Sequence, residues 1–489
     1  MTQHTFRRER EPSGGSRPGR LVTRPWCWAA VVLMATSACG TSSTSREDLT
    51  GEQLFSTPFP RSNGRSCATC HVPEDNFTLT PAHVARLLET NPDDPLFSAI
   101  DADDPTAEEL TFEHLKKGLV RVWLTLPDNV DLIDDDGDVI TPSDRKLFVW
   151  RGVPSIADSA LTAPFQLDGR VETLEDQAQG AITGHSESGK APRGGLERIA
   201  AFERDVFSSD RARSVAEYLA GGGDPESAPD VEDGLELTPT EERGREVYNA
   251  ICAACHGGGN RATIVDREIH DLAFPAIKPD GTVLYEVPAT DPPTPVLVAQ
   301  PRNEFLNIGS AYETFMGQLD PDSHVFTRDV SFPRYRYRFY TDDSRREIAA
   351  DLPPAPPPGF DDDLDGDGGP AGFNDDLDSD GNPVAGPNFG LQLFSADPGR
   401  SMITGSPNDF EAFDVPTLRG IGRTAPYFHS NAADTLERVV DVYSDHLLSR
   451  FPSLTLPGEK EPDDDGDIGP PEAMTADQKS DLVAFLKRL

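Results

Sequence analysis

The chain is short of basic residues, of cysteine and of long apolar runs, and each shortage excludes something. Lys+Arg number 44 against 84 Asp+Glu, a formal net charge of −40 over 489 residues. A nucleic-acid binder needs a basic face to meet phosphates, so that class of partner is excluded. Six cysteines are too few for a disulfide scaffold of this length. No stretch reaches the roughly 20 apolar residues that span a bilayer. Hydrophobic residues make up 36%, while Pro numbers 44 and Gly 41, so a packed core is diluted by long polar loops.

The N-terminus has an export pattern. Residues 1–24 carry Arg7, Arg8, Arg10, Arg17, Arg20 and Arg24 against Glu9 and Glu11. A mostly apolar stretch, Pro25 to Ala38, follows and ends at Thr36-Ser37-Ala38-Cys39-Gly40. A basic region, an apolar stretch and then small residues form a secretory signal. The small residues before Cys39 resemble a bacterial lipobox, whose Cys is lipidated and becomes N-terminal, although Thr36 stands where Leu is usual. Plain cleavage after Ala38 fits the same pattern. The expectation is a signal peptide at 1–38, a flexible tether at 39–49, and a mature chain in the periplasm or cell envelope. Its contact with the membrane would be a lipid on Cys39. Without residues 1–38 the chain keeps 38 basic and 82 acidic residues, a net of −44.

Cys27 and Cys39 belong to that segment. The other four fall in two copies of one pattern, Cys67-Ala68-Thr69-Cys70-His71 and Cys252-Ala253-Ala254-Cys255-His256. C-x-x-C-H is the attachment signature of c-type haem. Two thiols one turn apart add to the two vinyl groups of haem, and the adjacent His reaches the iron. A redox-active dithiol or half of a zinc site are the competing readings. Two copies in an exported chain point to two covalently bound haem c groups, with His71 and His256 as iron ligands.

A second repeat follows each motif. Val153-Pro154-Ser155-Ile156, Thr162-Ala163-Pro164-Phe165 and Glu172-Thr173-Leu174-Glu175 return as Val415-Pro416-Thr417-Leu418, Thr424-Ala425-Pro426-Tyr427 and Asp434-Thr435-Leu436-Glu437, at a constant offset of 262 residues. The haem motifs are offset by only 185, so the second half holds extra chain between motif and block. The pattern implies a mainly α fold of two cytochrome c-type haem domains related by internal duplication, with long acidic loop insertions. The expected domains are residues 50–235 and 236–489, the second carrying an insertion at about 258–405. Thr238-Pro239-Thr240-Glu241 opens a helix running into Cys252. Thr475 with Gln478 caps a last helix whose apolar stripe is Leu482, Phe485, Leu486 and Leu489. Gly51–Phe55 reads as a short helix, and strand patterns are scarce.

The block Phe413-Asp414-Val415-Pro416-Thr417-Leu418-Arg419, then Thr424-Ala425-Pro426-Tyr427-Phe428-His429, then Thr435-Leu436-Glu437 resembles the second-haem domain of bacterial dihaem cytochrome c peroxidases and their MauG-like relatives. Trp150-Arg151-Gly152-Val153-Pro154-Ser155 and Asp168-Gly169-Arg170 resemble the matching part of the first domain. The resemblance covers about half the mature chain and leaves out 75–150 and 258–405, where this chain is longer. It implies that hydrogen peroxide is reduced at the first haem with electrons relayed through the second. In the family a Gln and, ten residues later, a Glu line the peroxide pocket, and Gln177 and Glu187 have that spacing. Peroxide cleavage needs a base that takes a proton from the near oxygen and returns it to the far one. His185 is the rival base, or a resting sixth ligand. The second haem's sixth ligand in MauG-like members is a Tyr fourteen residues after the His of Tyr-Phe-His; here that is Tyr443. The competing reading makes Tyr443 a core aromatic and Met402 or Met316 the ligand.

Two positions depart from the family. Leu167 stands where a Trp usually relays charge between the haems, leaving direct tunnelling or another aromatic such as Phe165. Gly152 stands where an Asn side chain, with backbone oxygens at Thr424 and Pro426, would hold an interdomain calcium. Calcium remains a candidate elsewhere. Asp363-x-Asp365-x-Asp367-Gly368 and Asp376-x-Asp378-x-Asp380-Gly381 alternate carboxylates as calcium loops do, and Asp134–Asp138 and Asp463–Asp467 are looser echoes. Solvated loops explain them equally. The expected function is a peroxidase fed by a small redox protein or acting on a protein substrate. The alternatives are a dihaem electron carrier without peroxide chemistry and a calcium-dependent surface binder.

Overall fold

In the computed structural model, the residues described are 46–134, 137–223, 228, 235–252, 256, 305–306, 332–333, 335–349, 392–444 and 474–489. The signal, Cys27, Cys39, Cys255, Met316 and the acidic loops at 363–381 and 463–467 lie outside them. So does most of the tether. The described residues all belong to the unit Arg46–Leu489, and helix outweighs strand among them.

The first half opens with α1 (Gly51–Ser56), one residue longer than expected. Its N-cap Thr50 and Gln53 form a reciprocal capping box. Next come α2 (Pro81–Thr90), α3 (Leu174–Gly184), α4 (Arg193–Arg204) and α5 (Asp210–Ala220). In the second half α6 (Pro239–Val247) starts at the expected Thr238–Glu241 box and runs through one π turn, Tyr248–Cys252. The last helix, Ala476–Leu486, starts at the Thr475–Gln478 box and buries Leu482, Phe485 and Leu486. Each half has one close helix crossing on a glycine. A Cβ at Gly51 of α1 would lie 2.0 Å from the Arg198 carbonyl oxygen of α4. A Cβ at Gly244 of α6 would lie 2.0 Å from that of Asp481 in the last helix. Only glycine lets the backbones approach this closely.

Strand is scarce among the described residues, as expected, but what there is builds defined sheets. β1 (Leu119–Thr125) pairs antiparallel with β3 (Lys146–Gly152) over seven residues. One face of this ribbon, with Val120, Val122, Leu124, Leu147 and Val149, joins the apolar cluster around Val72, Leu79 and Leu96. The other carries Arg121, whose guanidinium lies over Phe148 and Trp150. β2 (Val130–Ile133), β5 (Tyr335–Phe339) and β6 (Gln392–Ser395) form a three-stranded antiparallel sheet. β4 (Phe305–Leu306) pairs with β7 (Phe413–Asp414). The two insertions that the family resemblance leaves uncovered therefore build one sheet together.

The repeated blocks fold alike. Asp158 and Gly420, Gln166 and Phe428, and Gly169 and Asn431 are pairs at the 262 offset, and all six have positive φ. Phe165–Val171 and Tyr427–Ala433 make matching β-bridges, and Thr173 and Thr435 both cap the helix that follows.

A buried ion network holds the seam between the halves. Arg151 on β3 donates from Nε and Nη2 to Asp397 (2.6 and 2.8 Å) and from Nη1 to Asp168 (2.6 Å). All three side chains are buried. Burial alone would push the guanidinium down; Asp397 and Asp168 outweigh it and push it up. Beside it the Gly152 N–H donates to the His429 carbonyl (2.7 Å) and the Asp414 N–H to that of Leu167 (2.8 Å). The space that Gly152 leaves is taken by Asn431. A Cβ at Gly152 would lie 2.2 Å from Asn431 Oδ1, while Nδ2 donates to the Lys117 carbonyl (2.9 Å).

Removing one partner from a buried charge group leaves the others uncompensated, at a cost of about 3–5 kcal/mol. Arg151→Met should lower unfolding stability by that order in urea titration, and Arg170→Met, at the partly exposed rim of the network, by clearly less; equal losses would mean that Arg151 does not organise the seam. His429 supplies a pH dependence. Its ring stacks on Phe413 (centroids 4.0 Å apart), and burial lowers its pKa from 6.5 to about 4. Between those values the unfolded chain binds a proton that the fold does not, so this contribution is full above pH 6.5 and lost toward pH 4. His429→Phe should lose less stability than the parent between neutral pH and the acid end of that window, as read from urea midpoints.

Candidate functional site

The first motif sits on a tight turn. Cys67–Thr69 is one 3₁₀ turn, its start fixed by the Ser66 N–H donating to Thr69 Oγ1 (3.0 Å). The His71 N–H donates to the Cys67 carbonyl (2.9 Å). Both thiols are free and half-buried. Cys67 packs against the cluster of Leu54, Phe55, Ile182 and Ile199, and Cys70 against that of Val72, Leu79 and Leu96. Burial pushes Cys70 up to about 11, and burial followed by the Glu203 charge pushes Cys67 higher still. A reactive dithiol needs a lowered pKa, so the structure argues against that reading. Among the described residues no group of three or more His, Cys, Asp or Glu is placed to hold a metal ion. Two protonated thiols and one His between apolar clusters suit a covalent haem.

His71 Nδ1 lies 3.1 Å from the Phe77 carbonyl oxygen, and the Pro154 carbonyl also faces the ring. Burial keeps the imidazole neutral, below its ordinary pKa, as a metal ligand must be. In the second half His256 Nδ1 lies 2.9 Å from the Pro416 carbonyl oxygen, and burial likewise lowers its pKa. Pro154 and Pro416 are equivalent in the repeat. A ring N–H fixed on a carbonyl sets the tautomer and aims the other nitrogen. Sequence reasoning missed this role of the two prolines, although the repeated Val-Pro-Ser/Thr was its signal.

Near His71 lies the loop that ends α3. His185 is the C-cap of α3 and half-buried; Glu187 is exposed with φ 52°. Asn63, four residues before Cys67, ties this loop down. Its Nδ2 donates to the His185 carbonyl (2.9 Å) and to Glu187 Oε2 (3.0 Å), and its N–H to the Ser186 carbonyl (3.1 Å). His185 is near enough to His71 for its charge to oppose protonation there. Burial lowers the pKa of His185, with Arg65 and Arg170 pushing the same way and Asp101 against. Arg65 is buried and donates to Asp101 Oδ2 (2.5 Å). Gln177 is half-buried on α3. The structure thus brings His185 toward His71 and leaves Glu187 on the outer side, held by Asn63.

The second centre is more closely drawn. His256 Nε2 lies 3.4 Å from the Tyr443 hydroxyl, and the Tyr248 hydroxyl donates to the His256 carbonyl (3.2 Å). Tyr443 caps the helix Leu436–Val442 and is half-buried, with the Phe428 ring stacked on it at 6.4 Å. Cys252 packs against the same cluster. Met402 packs instead in the first-half cluster with Tyr337 and Phe410, away from His256. The methionine that the fold does bring to the Tyr443 cluster is Met474, whose N–H donates to Ser444 Oγ (3.0 Å). Its distance in sequence from both haem motifs hid it. Leu167 and Phe165 are both half-buried near the seam.

Asp134 closes its loop on the backbone. Its Oδ1 accepts the Asp138 N–H (2.8 Å) and its carbonyl the Gly137 N–H (3.0 Å). No helix among the described residues is long and apolar enough to cross a membrane.

Comparison with known proteins bears on this geometry. Residues 47–212 match the family described as di-haem cytochrome c peroxidase. Over 91 residues the chain is 35% identical to a cytochrome c551 peroxidase of Nitrosomonas europaea, which is 19% of this chain and 21% of that protein. Among solved structures, a MauG-like protein associated with microbial copper homeostasis aligns over 94% of both chains, with 19% identity and a TM-score of 0.37. The diheme peroxidase BthA of Burkholderia thailandensis aligns over 89% of this chain and 84% of its own, with 15% identity and a TM-score of 0.34. Residues 47–212 are thus similar to the di-haem cytochrome c peroxidase family, and the chain spans about a fifth of the length of the curated relative it matches.

Proposed function

We propose that this chain is an exported dihaem peroxidase, two haem domains related by duplication, that reduces hydrogen peroxide at the Cys67–Cys70–His71 centre. The observation that carries this reading is the Asn63 tie, which holds a histidine and a carboxylate on the segment leading into the haem turn. Cys67 and Cys70 would hold one haem and Cys252 and Cys255 the other. His71, His256 and Tyr443 would be iron ligands. Bound there, the haems would supply electron storage and a redox-active iron for peroxide reduction.

The chain's own groups then divide the work. Glu187 takes the proton from the near peroxide oxygen and returns it to the far one. Asn63 ties the Glu187 carboxylate to the segment that leads into the haem turn, so the loop has to bring it inward for that task. Gln177 lines the same pocket and orients the substrate, while His185, neutral and half-buried, guards the approach to His71. The Phe77 and Pro154 carbonyls aim the His71 ring, and the Pro416 carbonyl that of His256. The mature charge near −44 favours a basic redox protein as electron donor.

Tyr443 carries a second reading within this one. Thioether sulfur is soft and favours ferrous iron; phenolate is hard and favours oxidised iron. A His256/Tyr443 centre would have a low potential and would help hold oxidising equivalents. That favours MauG-like oxidation of a substrate, a protein side chain among the candidates, over simple peroxide removal.

Glu187→Gln should slow the reaction with peroxide by about 10²-fold or more at unchanged haem content, in stopped-flow spectra. A parental rate in that variant, with His185→Ala slow instead, assigns the proton to His185; spectra that peroxide changes only in redox state make the chain an electron carrier. For the second centre, Tyr443→Phe should alter the low-spin ferric signal in electron paramagnetic resonance. An unaltered signal removes Tyr443 as ligand and turns attention to Met474.

A further inference from the structure

Glu203 is a buried carboxyl that no step above uses. It lies in the last turn of α4, 4% exposed, and its Oε2 has no hydrogen-bond partner among the described residues. Buried polar atoms are satisfied as a rule, so an orphan carboxyl oxygen calls for a reason. Its position supplies one. Its charge is felt at the Cys67 thiol, the point where the chain would join the first haem. α4 packs on α1 and α3, and Leu54, Phe55, Ala178, Ile182 and Ile199 make an apolar wall with Cys67 at its edge. The Ser159 hydroxyl donates to the Glu203 backbone carbonyl (2.9 Å), which fixes this turn of the helix. One residue on, Arg204 is exposed, so solvent is close.

We propose that the Glu203 carboxyl takes up one proton from solvent as the first haem iron accepts one electron from a one-electron donor. The proposal rests on a haem being held at Cys67 and Cys70. The balance is simple. A ferric ring carries one net positive charge and a ferrous ring none. Beside the ferric ring Glu203 is a carboxylate that offsets the charge. Once the electron arrives, the carboxylate has no counter-charge in an apolar wall, and Oε2 binds the proton. On reoxidation the electron leaves through the haem and the proton returns to water.

The charged surroundings support this. Arg204 on its own helix pulls the carboxyl pKa down, Glu175 from α3 pushes it up, and burial, the largest cause, sets it at about 8. Arg204 is partly spent on Glu175, donating to both its oxygens (3.0 and 2.9 Å). Arg46 faces the Cys67 thiol from the start of the described chain. With no ring charge present, the neutral form of Glu203 therefore prevails at pH 7, as the reduced state requires.

The test is a spectroelectrochemical titration of the holoprotein across neutral pH, following each haem separately. The first-haem midpoint potential should fall as pH rises, with a slope approaching one proton per electron. Glu203→Gln should flatten that slope and leave the second haem's unchanged. The same slope in parent and variant overturns the proposal. A measurement on the parent alone guards against a variant that fails to fold. Its reduced-minus-oxidised infrared spectrum should gain the carbonyl stretch of a protonated buried carboxyl, and a spectrum without that band also overturns the proposal. A purified parent lacking haem at the first motif would instead sink the reading on which the proposal rests.

Discussion

Arg151 brings a positive charge into the interior, and much of the seam follows from the need to neutralise it. A buried guanidinium is tolerated only when carboxylates surround it and its donors are used. Asp168 comes from the first repeated block and Asp397 from the segment leading into the second. Arg170 and the Arg400 guanidinium add contacts to Asp168, one on its carboxylate (2.5 Å) and one on its carbonyl (2.9 Å). The neighbouring residues are committed in turn. Trp150 stacks on His114 at 4.2 Å, and His114 Nδ1 lies 2.6 Å from Asp103 Oδ1. Gly152 meets His429 and receives Asn431. The two halves are thus held by a polar network whose partial loss is costly.

The same frame serves two centres with one supporting device. Carbonyls of Phe77 and Pro154 meet the His71 ring and that of Pro416 meets the His256 ring, and what lies near each ring then differs. In the first half it is a loop with His185, Asn63 and Glu187; in the second it is a helix end with Tyr443.

The helices were legible in the sequence because their signals are local. Thr238 with Glu241 and Thr475 with Gln478 announce their helices within four residues, and both boxes form. Tyr443 was named through the family resemblance, fourteen residues after His429, and the fold brings its hydroxyl to 3.4 Å from His256 Nε2. The strands were not. β1 buries Arg121 as well as its valines, so the alternation that marks a strand is broken. The partners of β2 come from the other insertion, with no turn between them to signal pairing. Asn431 opposite Gly152 was equally hidden, since a glycine does not show which distant side chain fills its space. Glu203 reads as one more surface acid on α4 until the fold shows it buried.

The seam also limits how charge can pass between the halves. Leu167 offers no oxidisable ring, and the rings that do meet at the seam, Phe413 and His429, resist oxidation far more than Trp or Tyr would. Under the proposed function, an electron crossing at Leu167 would tunnel through bonds and short contacts, with Trp150 beside Arg151 as the nearby oxidisable ring. The contacts available are the Asp414 N–H to Leu167 carbonyl, the Gly152 N–H to His429 carbonyl and the stacked pair Phe413–His429. Tunnelling weakens steeply with separation, so those contacts must be kept at fixed length. Arg151, next to Gly152 in sequence and paired with Asp168 next to Leu167, holds the flanks of both backbone links. If the proposed function holds, the interaction that keeps the halves folded together would also set how fast they exchange electrons. A more mobile seam would cost rate even where it cost little stability.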